Sequence, residues 1–172
     1  MTPARYSQMR LDNWEPRDGN DPRKLLHSWV TNPNRPWSIV FLGPAGTGKT
    51  HLATGVLFEY VGPSWWLDAA EVVSQLREEV RNGARAGVTP VETKLLDPRP
   101  ILIDDFGCTR LTDFAHEQWT RALCYRYNHL LPTLITTNAE KLDAFDVLDP
   151  RVTSRLHEGL VITLTGRDRR AA

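Results

Sequence analysis

The stretch of sequence that decides the fold is Gly43-Pro44-Ala45-Gly46-Thr47-Gly48-Lys49-Thr50. An apolar run, Ser38 to Leu42, precedes it, and the residues that follow, His51 to Tyr60, suit a helix. A glycine-rich loop between a strand and a helix can wrap a polyphosphate, because backbone N–H groups approach the oxygens where no Cβ intervenes. The alternative is an ordinary glycine-rich turn with a solvated lysine, but such a turn would not need to lie between a strand and a helix. The stretch therefore predicts a nucleotide-binding loop.

The residue types in this loop indicate how it would hold the phosphates. The helix after the loop contributes the partial positive charge of its N-terminus. Lys49 is expected to reach the β- and γ-phosphates, and Thr50 is expected to offer its hydroxyl to Mg²⁺. The predicted nucleotide contacts are Gly43, Pro44, Ala45, Gly46, Thr47, Gly48, Lys49, Thr50 and His51.

Composition is that of an ordinary globular chain. Its 172 residues predict one domain, with 41% apolar and 24% charged residues and a formal net charge of zero. The balanced charge gives the whole molecule no strong attraction to nucleic acids or acidic membranes. No apolar run is long enough to span a bilayer, and no signal peptide is expected, because Met1 to Arg10 lack its apolar core. Cys108 and Cys124 lack the spacing of a zinc site or a disulfide scaffold, so the cytoplasm is the expected location.

Strands and helices alternate after a proline-rich start. Residues 1–37 are predicted to be a linker segment with one short helix, from Asp21 as its N-cap to Val30. Apolar strands are predicted at 38–42, 64–67, 101–103, 133–137 and 160–164, and the helix before the last strand, Leu148 to Leu156, is interrupted by Pro150. This alternation predicts a doubly wound parallel α/β core over 38–166, followed by a basic tail, 167–172.

Polar residues end two of these strands. Asp104 and Asp105 follow the third strand, which places both carboxylates beside the phosphate loop at the carboxyl edge of the sheet. Asp104 is expected to hold Mg²⁺ through water, and Asp105 to orient or deprotonate the attacking water. Asn138 ends the fourth strand, where its amide could bond the γ-phosphate or that water. The ordinary alternatives are a polar turn after the third strand and an Asn turn residue after the fourth.

Two arginines near the end of the chain lie one helical turn apart. Arg151 and Arg155 would share one face of a helix, and a guanidinium entering a neighbouring subunit could stabilise charge on its γ-phosphate. The alternative is a surface pair of arginines near Asp146 or Asp149. No arginine is expected from the sequence to reach the phosphates of its own chain.

Together these residues resemble the AAA+ ATPases, and within them the DnaC/IstB-like group of helicase loaders and transposition helpers. The resemblance extends from Leu11-Asp12-Asn13-Trp14 to Gly166 and rests on GPAGTGKTHLA at 43–53, ILIDDFG at 101–107, Arg126-Tyr127, TTN at 136–138 and RVTSRL at 151–156. By that likeness Lys49 and Thr50 belong to Walker A, Asp104 and Asp105 to Walker B, Asn138 is sensor 1, and Arg155 is the arginine finger.

The resemblance also implies a fold and an activity. The expected fold is a three-layer P-loop NTPase of the ASCE type, with a five-stranded parallel sheet in the order 5-1-4-3-2. No C-terminal helical lid is expected, because the chain ends soon after the fifth strand. The expected activity is hydrolysis of ATP with Mg²⁺ in DNA replication or remodelling, most of all DnaC-like helicase loading.

Three alternatives to helicase loading remain open. One is an IstB-like transposition helper, and another is a nucleotide-gated assembly module with negligible turnover. A small-molecule P-loop kinase ranks last, because no segment after the fourth strand looks like an arginine-bearing lid.

The expected partners are further copies of the chain, through Arg155, and a replicative helicase or a transposase. Single-stranded DNA is a third expected partner. In DnaC-like proteins the region between the second and third strands meets such DNA, and here Arg77, Arg81 and Arg85 recur at every fourth residue. Guanidiniums at this spacing could track a phosphate backbone. Glu78 and Glu79 support the alternative of an ordinary solvated helix.

Overall fold

Strands and helices alternate through the part of the chain that the computed structural model describes, which is residues 2–16, 21–83, 89–107, 112–142, 149–166 and 168. The strands are β1 (Ser38–Leu42), β2 (Trp65–Asp68), β3 (Ile101–Asp104), β4 (Thr133–Thr136) and β5 (Leu160–Thr163). The helices are α1 (Arg23–Thr31), α2 (Lys49–Glu59), α3 (Ala69–Arg81), α4 (Pro90–Leu95), α5 (Asp113–Asn128) and α6 (Pro150–His157). A single 3₁₀ turn, Ala4–Tyr6, precedes them. None of the described helices is long and apolar enough to cross a membrane.

All five strands form one parallel sheet in the order β2-β3-β4-β1-β5. This is the predicted order 5-1-4-3-2 read from the other edge, so the expected fold is confirmed. The described residues after β5, 164–166 and 168, are not helical. Because the strands are parallel, their carboxyl ends meet at one edge. The phosphate loop, the acidic pair and Asn138 therefore come to the same edge of the sheet.

The sheet is covered on both faces, which explains why its central strands are uniformly apolar. On β1, Ile39 and Phe41 face a core formed with α1 and α2, while Val40 and Leu42 face a second core formed with α3, α4, α5 and α6. All four side chains are buried. The molecule therefore has the three layers that were predicted.

The residues before β1 pack against α2. Leu11 and Trp14 are buried in the core on the α2 side of the sheet, together with Leu26 and Trp29 of α1. The approach is close enough to require a glycine, because a Cβ on Gly55 of α2 would lie 2.7 Å from the Leu11 nitrogen. The predicted linker segment thus contributes to the core, while a domain boundary at residue 37 stays a prediction.

Two details of the predicted helices were wrong. Pro22, rather than Asp21, occupies the N-cap of α1, although the Asp21 side chain still accepts a hydrogen bond from the Arg23 N–H. Pro150 does not interrupt a helix but begins α6, where the Asp149 side chain accepts a hydrogen bond from the Arg151 N–H. Proline suits the first position of α6 because it lacks an N–H, and the N–H groups of a helix's first turn have no partner within the helix.

Arg126 of α5 joins three segments at the amino edge of the sheet. Its side chain is fully buried, and burial lowers its pKa to about 9. The guanidinium donates to the Thr133 hydroxyl and to the carbonyl oxygens of Leu95, Asp97, Arg99 and Pro132. Five such bonds satisfy a buried cation. These contacts give a structural reason for the arginine of the Arg126-Tyr127 pair, which was noted in the sequence for its resemblance to the family.

Candidate nucleotide-binding site

The loop between β1 and α2 has the backbone that a phosphate cradle needs. Gly43 has a φ of 130°, and a Cβ at this position would overlap the Leu164 carbonyl oxygen, so only glycine fits. Gly46 and Gly48 also have positive φ angles, of 77° and 99°. No side chain among the described residues caps α2. Its first N–H groups are therefore placed to serve an anion, as at other phosphate-binding helix ends.

Lys49 lies at the centre of the site and is only 5% exposed. Its ammonium donates to the carbonyl oxygens of Gly43 and Pro44, at 2.8 and 2.7 Å, and to Asn138 Oδ1 at 2.9 Å. The last bond joins the phosphate loop to the end of β4. The structure thus brings together two of the predicted catalytic residues, which are 89 positions apart in the sequence.

Thr50 and Asp104, the predicted metal ligands, are also brought together. The Thr50 hydroxyl donates to Asp104 Oδ1 at 2.9 Å, and the Thr136 hydroxyl donates to the same oxygen at 2.6 Å. Mg²⁺ usually takes one or two protein oxygens and completes its shell with water and phosphate. A hydroxyl beside a carboxylate fits that donor set, so Thr50 and Asp104 are the residues that would hold the ion.

Asp104 is 2% exposed, and its environment disfavours the charged carboxylate. Burial raises its pKa above the ordinary value, and the nearby carboxylates of Asp105 and Asp68 act in the same direction. The hydrogen bonds from Thr136 and Thr50 oppose this shift but do not cancel it. A divalent cation at this position would stabilise the ionised carboxylate.

Asp105 differs from its neighbour in both exposure and backbone. It is exposed, and its φ of 53° lies in the left-handed region, which non-glycine residues rarely adopt. Its N–H donates to the Thr136 hydroxyl at 3.0 Å, which helps to hold this conformation. The turn buries one carboxylate of the pair and directs the other towards solvent. Such an arrangement suits one metal ligand and one group that acts on water.

Eight of the thirteen predicted site residues line one cavity of about 310 Å³, whereas Gly43, Pro44, Thr47, Asp104 and Arg155 do not line it. Its lining comprises Arg5, Tyr6, Met9, Ala45, Gly46, Gly48, Lys49, Thr50, His51, Asp105 and Asn138. Sequence reasoning missed the first three of these, which belong to the N-terminal segment. The available signal was the apolar pair Leu11 and Trp14, which docks that segment on the core. It also missed Thr136, whose hydroxyl connects the two acidic residues.

Asp168 is a further residue near the loop that sequence reasoning missed. Its carboxylate lies so close to Gly46 that a Cβ there would overlap it. This acidic residue falls in the segment predicted as a basic tail, 167–172, whose other residues lie outside the described part of the chain.

Arg155 lies far from the phosphate loop of its own chain. The Trp37 indole N–H donates to the Arg155 carbonyl oxygen at 2.9 Å, and the Arg155 guanidinium stands 4.6 Å from the centre of the Tyr127 ring. Trp37 precedes β1, whereas the phosphate loop follows β1, and five strand residues span about 16 Å. The contacts of Arg155 therefore lie at the amino edge of the sheet, opposite the edge of the phosphate loop. Arg151 pairs with Asp149 at 2.7 Å, in agreement with the alternative of a surface arginine.

The predicted DNA-contacting arginines are only partly described. Arg77 and Arg81 lie on α3, four residues apart, and Arg81 is exposed. Arg77 donates to the hydroxyl of Thr112, the N-cap of α5, at 2.6 Å. Arg85 lies outside the described residues. Arg77 therefore already contacts the start of α5, whether or not it also contacts DNA.

The order of the strands, the phosphate loop and the acidic pair define an AAA+ protein of the P-loop class. The chain belongs to the family of IstB-like ATP-binding proteins, which matches residues 14–161. An ATP-binding protein of insertion sequence IS5376 from Geobacillus stearothermophilus is 28% identical over 149 residues, which are 80% of this chain. The match spans 57% of that relative's length.

Solved structures agree with this family. The DnaC helicase loader is 27% identical, with a TM-score of 0.81 over 95% of this chain and 100% of that one. AMPPCP-bound DnaA from Aquifex aeolicus has a TM-score of 0.78 at 16% identity, over 95% of this chain and 52% of that one. At this identity, the likeness to DnaA is one of fold alone.

Replacing Asp104 is expected to stabilise the nucleotide-free protein. In Asp104→Asn the amide oxygen can still accept both hydroxyl hydrogen bonds, while the buried charge is removed. In a domain of this size, each added kcal/mol of stability raises Tm by about 2–4 °C. Thermal unfolding followed by fluorescence without nucleotide measures this increase.

The raised pKa of Asp104 also sets how this effect depends on pH. As the pH rises above the ordinary value of 3.8, the unfolded chain ionises first, so the wild type loses stability until the native pKa is reached. The Tm of Asp104→Asn should therefore exceed that of the wild type more at neutral pH than at acidic pH. Asp105→Asn, at the exposed neighbour, is the control and should show much less widening. A difference that shrinks as the pH rises would contradict the dominant effect of burial.

Proposed function

We propose that this protein binds ATP with Mg²⁺ in the 310 Å³ cavity and hydrolyses it. The observation that carries the proposal is the convergence of Lys49, Asp105 and Asn138 on this cavity, next to the hydrogen-bonded pair Thr50 and Asp104. Each of these groups has a task in phosphoryl transfer, where an enzyme mainly positions the reactants and neutralises charge. Membership of a family of ATP-binding proteins supports the choice of nucleotide.

The residues divide the work by charge and position. The Lys49 ammonium exchanges its contacts with loop carbonyls for the β- and γ-phosphate oxygens. Thr50 and Asp104 hold the metal, which supplies charge neutralisation on the phosphates when it is bound. The exposed Asp105 carboxylate orients the attacking water or takes its proton. Asn138, bonded to Lys49, is placed to respond to loss of the γ-phosphate.

Two substitutions separate binding from hydrolysis. Lys49→Ala should weaken ATP binding by about 10- to 100-fold, since it removes a charge-assisted contact with the phosphates. Asp105→Asn should bind ATP nearly as the wild type does, because Asp104 remains, yet its hydrolysis should fall by about 100-fold or more. Binding is measured with a fluorescent ATP analogue, and hydrolysis by phosphate release with DNA present.

The outcomes of this experiment distinguish the alternatives. If both variants bind ATP like the wild type, the residues are assigned to the wrong site. If the wild type binds ATP but does not release phosphate over many turnovers, the protein is a nucleotide-gated assembly module instead of an ATPase.

We further propose that a neighbouring copy of the chain completes the site. Arg155 lies at the amino edge of the sheet, away from its own phosphate loop. Its side chain is half-buried, so part of it is open to a second protomer. Stacking against Tyr127 would hold the guanidinium in place before assembly. An arginine supplied in trans stabilises charge that develops in the transition state.

Mixing two inactive variants tests this shared site. Arg155→Ala keeps an intact phosphate loop, and Lys49→Ala keeps an intact arginine finger. Each variant alone should lose on the order of a thousandfold in hydrolysis rate, and a mixture should regain activity at interfaces that pair the two intact halves. Wild-type activity should also rise more than linearly with protein concentration. A mixture as inactive as its components would refute the shared site.

Helicase loading remains the favoured role, supported by the likeness to the DnaC helicase loader along 95% of this chain. The insertion-sequence relative supports an IstB-like transposition helper as the second candidate. Co-purification with the tagged protein distinguishes them, because the first role requires a replicative helicase and the second a transposase.

We also propose that α3 contacts single-stranded DNA through Arg77 and Arg81. Two phosphate contacts release about 1.4 counterions on a single strand, which sets the salt dependence of binding. Arg77→Glu combined with Arg81→Glu should therefore weaken binding and reduce the slope of log K against log salt by about that amount. Fluorescence anisotropy with labelled single-stranded DNA measures both quantities.

A charge-matched control isolates this face of α3. Arg23→Glu combined with Lys24→Glu makes the same change in net charge on α1, and should leave the slope nearly unchanged. If the slope is unchanged in the α3 variant, or changes equally in both variants, α3 does not contact DNA through these arginines and is an ordinary solvated helix.

A further inference from the structure

The N-terminal 3₁₀ turn forms one wall of the nucleotide cavity. Arg5 and Tyr6, in this turn, and Met9, just after it, line the cavity together with residues of the phosphate loop. The turn is closed by a hydrogen bond of 2.9 Å from the Tyr6 N–H to the Pro3 carbonyl oxygen. A segment remote in sequence from the loop therefore contributes to the same site.

This wall is anchored to the start of α2. The ring nitrogen Nε2 of His51 lies 3.0 Å from the Arg10 carbonyl oxygen and 2.7 Å from Asn13 Oδ1. Leu11 is fully buried, and its nitrogen lies where a Cβ on Gly55 would approach to 2.7 Å. Polar contacts and close packing together fix the segment immediately after the turn. The position of the turn over the cavity is therefore set by the fold.

The turn lies on the side of the cavity that faces the acidic pair. The Tyr6 ring stacks on Trp66, with centroids 5.3 Å apart and an angle of 26° between the rings. Trp66 belongs to β2, the edge strand next to β3, whereas β5 forms the opposite edge. Asp105 directly follows β3. The turn therefore lies on the β2–β3 side of the site. On that side the terminal phosphate would face Asp105 and Asn138.

Arg5 gives this wall a positive charge. Its side chain is exposed, its guanidinium stands 5.7 Å from the centre of the Tyr6 ring, and it has no carboxylate partner among the described residues. Within the described residues, the Arg5 guanidinium can therefore bind a ligand without first breaking an ion pair. A planar guanidinium also matches the geometry of phosphate oxygens.

We propose that Arg5 binds the terminal phosphate of ATP within its own chain and makes the site favour a nucleoside triphosphate over a diphosphate. This inference rests on the proposed function of the cavity. It changes the expectation from sequence that no arginine of the same chain reaches the phosphates. Arg5 would recognise the bound triphosphate before reaction, which leaves to Arg155 of a neighbouring copy the charge that develops in the transition state.

The test compares binding of AMPPCP and ADP, both with Mg²⁺, by isothermal titration calorimetry. Arg5→Ala should weaken AMPPCP binding by about tenfold, and should leave ADP binding within about twofold of the wild type. Arg5→Lys should recover part of the loss, because it restores the charge without the planar fork. The control is Arg23→Ala, which removes an exposed arginine paired with Asp21 outside the cavity and should bind both nucleotides like the wild type.

The other outcomes overturn the inference in distinguishable ways. Equal losses for AMPPCP and ADP would place Arg5 at the base, the ribose or the inner phosphates. Unchanged binding of both would make Arg5 an ordinary surface residue. Either result refutes the role of Arg5 while leaving the proposed function intact. A wild-type protein that binds neither nucleotide would instead overturn the proposed function, and the role of Arg5 with it.

Discussion

Burial of β1 on both faces is the constraint on which the site depends. Ile39 and Phe41 fill one core and Val40 and Leu42 the other, so the strand is held at the centre of a parallel sheet. The chain must then leave the sheet at the carboxyl edge, between two helical layers. The phosphate loop is this exit, and the ends of β3 and β4 come to the same edge. Packing thereby brings Asp104 and Asn138 to Lys49 across long separations in sequence.

At that edge, a stability cost accompanies the chemistry. Asp104 is buried, which raises its pKa, and Asp105 is held in a left-handed backbone conformation. Thr136 connects both features, because its hydroxyl donates to the first carboxylate and accepts from the N–H of the second residue. A residue that appears in sequence only as part of TTN thus supports both acids. Such strain is expected where function, and not folding, selects the residues.

Sequence predicts the parts of this molecule that depend on local pattern. The strand order followed from the resemblance, and the phosphate loop and acidic pair followed from short motifs at the ends of apolar strands. The roles of Arg126 and of the turn containing Arg5 could not be predicted in this way, because both depend on contacts between remote segments. Neither has a periodic pattern, and an arginine in sequence shows neither its burial nor its partner. The N-cap of α1 was missed for a smaller reason, since Asp21 and Pro22 both suit a helix start.

The two arginines considered for the nucleotide lie at different edges of the sheet, and this separation has a consequence for regulation. Arg5 lines the cavity of its own chain, whereas Arg155 stands beside Trp37, before β1 begins. If both act as proposed, the first senses which nucleotide is bound and the second senses whether a neighbour is present. ATP binding would then need one chain, and hydrolysis would need two. A protein built in this way keeps its triphosphate until it assembles, because the group that completes the transition state arrives only with the next copy.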